Sequence, residues 1–159
     1  MYQKILIPLD GSELAECVLP HVEFIAKSSH AQSVTFIYVV KPAISAFSDS
    51  EEGISWLPVE DTNRLDSEAK ATAERYLTQL LRGVKYDGVD IQLQIIFGDQ
   101  VADVIADYAT KNEVDLIIIS THGRSGISRW VWGSVADRVL RTACIPVMMV
   151  RAPGCIPGI

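Results

Sequence analysis

Short apolar runs alternate with longer stretches in which hydrophobic residues recur every three or four positions, and this alternation predicts strands interleaved with helices. Ile5 to Leu9 forms the first run and Val34 to Val40 the second, the latter rich in β-branched and aromatic residues. Val89 to Phe97 alternates Ile91, Leu93 and Ile95 with Gln92 and Gln94, which suits an edge strand with one wet face. Leu116 to Ile119 and Ile145 to Val150 complete a set of five predicted strands.

The intervening segments carry helical stripes. Glu13 to Ser29 places Leu14, Val18, Val22, Ile25 and Ala26 on one face, with Pro20 introducing a kink or an irregular turn. Asp61 to Arg82 does the same with Leu65, Ala69, Ala73, Tyr76, Leu77, Leu80 and Leu81, and Gly83 ends it. Val101, Val104, Ile105 and Tyr108 define a third helix, and Val135, Val139 and Leu140 a fourth. Between the second strand and the second helix, residues 41–60 form a long surface loop containing Pro42, Gly53 and Pro58. Trp56 and Leu57 within it either close over a ligand or fold back onto the core.

Strand–helix alternation implies right-handed parallel crossovers, with helices on both faces of one open α/β sheet. The expected strand order is 3-2-1-4-5, with the reversal of order between strands one and four. Ligands of such sheets bind at the carboxyl ends of the strands beside that reversal. Two stretches meet there: Pro8-Leu9-Asp10-Gly11-Ser12 after the first strand, and the glycine-rich segment Ser120 to Ser134 after the fourth.

The second stretch joins a strand to a helix, and a helix N-terminus offers unpaired N–H groups and a partial positive charge to an anion. Phosphate is the indicated guest. The loop is neither a Walker loop, which would continue Gly-Lys-Ser/Thr, nor the three-glycine dinucleotide fingerprint. Asp10 stands where a carboxylate could accept hydrogen bonds from a ribose or a base, and equally where Asp10 or Ser12 could cap the next helix.

The spacing Ser120-Thr121-His122-Gly123, nine residues, then Gly133-Ser134 resembles the nucleotide-binding signature of the universal stress protein family. That signature reads Gly, two residues, Gly, nine residues, Gly, Ser or Thr. The resemblance runs from Lys4-Ile-Leu-Ile-Pro-Leu-Asp-Gly-Ser12 to Ile145-Pro-Val-Met-Met-Val150, with a serine at position 120 where the family has its first glycine. It implies a Rossmann-like fold of the adenine-nucleotide alpha hydrolase type and membership of the ATP-binding subgroup. A single domain over residues 1–151 followed by a tail, 152–159, is expected.

The resemblance also implies the ligand: ATP, with or without Mg²⁺, and AMP or ADP as alternatives. Asp10 and Val39 would hold the nucleoside, and Gly123, Gly133, Ser134 and neighbouring N–H groups the phosphates. Pro8, Leu9, Ser120, Thr121, His122, Arg124, Ser125, Gly126, Val135 and Ala136 complete the expected nucleotide site. It further implies a homodimer through the last strand, Val147 to Val150.

Bulk properties narrow the remaining choices. The chain has 159 residues, 48% hydrophobic and 21% charged, as in one ordinary globular domain. Its formal net charge of −6 argues against a broad nucleic-acid surface, so the neighbouring Trp130 and Trp132 read as packing residues rather than base-stacking ones. Three cysteines, Cys17, Cys144 and Cys155, make no CxxC pair, which argues against a disulfide framework or zinc site. Cys17 and His21 have no partner that would make a nucleophile–base pair. No apolar stretch is long enough to span a bilayer and the N-terminus has no secretory pattern, so the cytoplasm is the expected compartment and a membrane is not an expected partner.

Three functional classes remain: a nucleotide-binding regulatory module with slow or no hydrolysis, a slow ATPase or phosphotransferase, and a homodimeric scaffold without nucleotide. An adenylate-forming enzyme ranks below these because its glycine-serine-rich first loop is replaced by Pro8-Leu-Asp-Gly-Ser-Glu13. One carboxylate and one loop histidine fall short of the metal ligands and positioned water that phosphoryl transfer uses.

Overall fold

The computed structural model describes residues 1–44, 59–121 and 133–151. Five parallel strands form one sheet in the order β3-β2-β1-β4-β5: β1 (Lys4–Leu9), β2 (Ser33–Val40), β3 (Asp90–Phe97), β4 (Leu116–Ser120) and β5 (Val147–Val150). The helices are α1 (Glu13–Glu16), α2 (Leu19–Ser29), α3 (Val59–Leu81), α4 (Val101–Lys111) and α5 (Ser134–Thr142). The expected order and the Rossmann-like alternation are both present.

Strand periodicity sorts the core into two layers, because successive side chains point to opposite faces. Ile5, Ile7, Val34, Phe36, Leu116 and Ile118 face a layer closed by α1, α2 and α3 through Ala15, Val22 and Leu77. Leu6, Ile37, Ile117 and Ile119 face the opposite layer, closed by α4 and α5 through Ile105, Ala109 and Val139. A continuous apolar run such as Leu116-Ile-Ile-Ile119 is therefore what a strand covered on both faces requires.

The first predicted helix is instead two. α1 ends at Glu16, and α2 starts at Leu19 with Pro20 in its first turn. In one continuous helix, Pro20 would have no N–H for the carbonyl of Glu16, and its ring would collide with that carbonyl. The chain therefore breaks after Glu16, and Pro20 takes a first-turn place where no intrahelical donor is needed. α3 begins at Val59, slightly before the predicted start, and β3 occupies the predicted edge.

The ladders show where the sheet opens. β1 pairs with β2 from Lys4↔Ser33 through Leu9↔Tyr38, but with β4 only at Ile5↔Leu116 and Leu6↔Ile117. The last residues of β4 pair with β5 instead, ending at Ser120↔Val150. β1 and β4 thus separate toward their carboxyl ends, at the point where strand order reverses.

Candidate nucleotide site

The β1–α1 turn is a locally closed unit. Asp10 Oδ1 accepts from the Ser12 N–H at 3.0 Å and from the Ser12 hydroxyl at 2.7 Å, while Ser12 Oγ accepts from the Ala15 N–H at 3.2 Å. Ser12 is the N-cap of α1, so Asp10 orients the cap rather than serving as one. Gly11 has φ +84°, a conformation that favours glycine and lets the chain turn sharply after β1.

The β4–α5 connection is clasped at its ends. The Thr121 N–H donates to the Val150 carbonyl at 2.9 Å, and the Thr121 carbonyl accepts from the Gly133 N–H at 2.7 Å. Gly133 is the N-cap of α5 and provides no side-chain cap for the first turn. Asp137, the acidic residue of that turn, is paired with Arg141 at 2.9 Å, which offsets its charge beside the N-terminus. An N-terminus without a side-chain cap suits an anion.

These two units border one cavity of about 420 Å³. Pro8, Leu9, Asp10, Val39, Ser120, Thr121, Gly133, Ser134, Val135 and Ala136 all line it. His122, Gly123, Arg124, Ser125 and Gly126 lie outside the described residues, as do Trp56, Leu57, Trp130, Trp132 and the tail 152–159. The cavity also has lining residues that no sequence motif marks: Ile37, Ile119 and the α4 residues Val101 and Ile105, which are apolar, together with Tyr38 and Lys41. The i, i+4 spacing of Val101 and Ile105 at the start of a helix entering the same sheet edge was the available signal. Lys41, exposed just beyond β2, adds a cation to the lining.

The lining combines apolar side chains, the Asp10 turn and the N-terminus of α5. That donor set fits a planar heterocycle joined to an anionic group, and the volume suits a mononucleotide-sized ligand. Ser120 is buried at the end of β4, and its Oγ accepts a long contact, 3.6 Å, from the Cys17 thiol. Among the described residues, no group of three or more histidine, cysteine or acidic residues comes together to hold a metal.

Residues 1–151 match the universal stress protein family. The chain belongs to that family. A member from Methanocaldococcus jannaschii, universal stress protein MJ0531, is 35% identical over 154 residues, spanning 96% of this chain and 84% of its own. The solved structure of the universal stress protein MJ0577 from the same organism superposes with a TM-score of 0.80 at 26% identity, covering 97% of this chain and 99% of that one. A universal stress protein family member from Arabidopsis thaliana, solved with AMP bound, shares the fold at a TM-score of 0.62 and 17% identity, covering 96% of this chain and 93% of that one. The described residues of the present family member include no helix long and apolar enough to cross a membrane.

Proposed function

We propose that this universal stress protein is an adenine-nucleotide-binding regulatory module, with ATP as its principal ligand and slow or no hydrolysis. One observation carries the reading: the Asp10 turn, Val39 and the N-terminus of α5, far apart in sequence, line one cavity at the strand reversal. The AMP held by the Arabidopsis relative supports an adenine nucleotide over other anions. In this reading Asp10 and the β2 end around Val39 meet the nucleoside, and the first-turn amides of α5 meet the phosphates with the segment His122 to Gly126. The module acts in the cytoplasm as a homodimer joined along β5, without nucleic acid or membrane as partner.

A nucleotide-free scaffold is the second reading, favoured by Ser120, a residue of the cavity lining at the place where the family signature has glycine. Calorimetric titration with ATP, ADP and AMP, with and without Mg²⁺, separates the two. Saturable ATP binding is expected, weakened in Gly133→Val because a β-branched side chain would crowd the phosphates at the α5 N-terminus. A wild type that binds none of the three leaves the scaffold. A turnover rate of about 1 per second or more would instead make it an ordinary enzyme.

A further inference from the structure

The carboxylate of Asp10 is fixed through Ser12, but its backbone is fixed from another direction. Tyr38, near the end of β2, donates its hydroxyl proton to the Asp10 carbonyl at 3.1 Å. The β1–β2 ladder ends at Leu9↔Tyr38, so no further strand pairing between them reaches Asp10. Beyond that ladder, the Tyr38 bond ties the turn to β2.

The Tyr38 ring is itself held. It packs edge-on against Tyr76 of α3, with ring centroids 6.0 Å apart and an interplanar angle of 66°. Tyr76 in turn donates to Glu16 Oε1 of α1 at 3.0 Å. Two tyrosines thus link β2, α3, α1 and the turn between β1 and α1, and Tyr38 also lines the cavity. Burial is the main cause of the raised Tyr76 pKa, followed by the nearby charge of Glu16 and its hydrogen bond; smaller contributions come from Asp10 and Tyr38. The hydroxyl therefore stays a donor at neutral pH.

The geometry points to Tyr38 as a positioning residue for nucleoside recognition: its hydroxyl locks the backbone at Asp10, so that the Asp10 carboxylate meets the ligand in one orientation. This rests on the nucleotide-binding reading for its ligand, but the lock is a property of the free protein. Tyr38→Phe keeps the ring and its contact with Tyr76 while removing the bond to Asp10.

Two measurements test it. Amide hydrogen exchange on the free Tyr38→Phe protein should show faster exchange at Ser12 and Ala15, with β4 and α4 unchanged. ATP affinity should fall by about two- to tenfold, the effect of one neutral hydrogen bond. That loss should vanish when Tyr38→Phe is added to Asp10→Asn, because the hydroxyl acts through Asp10. Tyr76→Phe, which removes the bond to Glu16 and retains the ring, should leave ATP affinity within about twofold. Unchanged exchange at Ser12 overturns the lock, and so does a loss of affinity that simply adds to that of Asp10→Asn. If the wild type binds no adenine nucleotide, the nucleotide reading falls, and exchange at Ser12 alone still decides whether Tyr38 locks the turn.

Discussion

Asp115 immediately precedes β4, and its Oδ2 accepts from the N–H groups of both Gln3 and Lys4, at 2.8 and 2.9 Å. Its sequence neighbourhood offers no sign of this, because the partners lie more than a hundred positions away. Asp115→Ala would leave two partly buried backbone donors at the start of β1 without their acceptor. A loss of about 1–3 kcal/mol is expected, read from urea denaturation. A change below about 0.5 kcal/mol would mean that water replaces the carboxylate fully. By contrast, Asp10 was legible as a candidate because strand, turn and helix follow one another in a few residues. Whether Asp10 or Ser12 capped the helix was not, since both residue types perform that task; the geometry assigns the cap to Ser12. Tyr38 was hidden for a third reason: an aromatic in a strand reads as core, and its hydroxyl partner is set only by the strand pairing.

At the level of elements, apolar periodicity located all five strands, and it erred where one residue overrode the stripe. The face formed by Val18, Val22 and Ala26 is present, yet Pro20 divides the expected helix because its backbone cannot complete the bond to Glu16. The β3–α4 junction is a similar case of one position constraining two elements. The Gly98 N–H donates to the Val40 carbonyl at 3.0 Å, and a β-carbon at position 98 would collide with Cγ2 of Val104. Val104 is branched at Cβ on a helix and has little rotamer freedom to retreat. Gly98→Ala is therefore expected to destabilise the protein by about 1–3 kcal/mol through overpacking, with the double variant Gly98→Ala, Val104→Ala recovering part of the loss. Denaturation midpoints of the wild type and the two variants check this: a neutral Gly98→Ala would show that α4 shifts freely. The displacement would also reach the candidate site, because Val101 and Ile105 of the same helix line it.

Across the whole molecule, burial makes stability sensitive to alkali. Tyr86, 6% exposed between α3 and β3, has its pKa pushed up to about 12, chiefly by burial and then by the negative charge of Glu23. The folded state thus favours the neutral phenol. Its contribution is complete below the ordinary value of 10.0 and is lost as pH rises toward 12, by at most about 1.4 kcal/mol per unit. Tyr86→Phe should lose less stability than the wild type between about pH 9 and pH 11.5 in urea titrations, and parallel curves would refute that assignment. At the far end of the sheet, β5 pairs with β4 on one side and, among the described residues, has no strand on the other. Its side chains divide between the two layers, Met148 packing on the α1–α3 side and Met149 on the α4–α5 side. A second copy related by a two-fold axis can pair antiparallel along Val147–Val150 and extend both layers at once, which covers an apolar edge that would otherwise invite aggregation. Pro146 has no N–H to donate, and its carbonyl already accepts from the Ile117 N–H at 3.0 Å, so the new ladder should start after it. Light scattering should give twice the chain mass for the wild type and the single-chain mass for Met148→Lys, Met149→Asp, since each copy would then bring a charge into each half of the joint. A monomeric wild type would sink the interface, and a variant that stays dimeric would place the contact elsewhere on the surface.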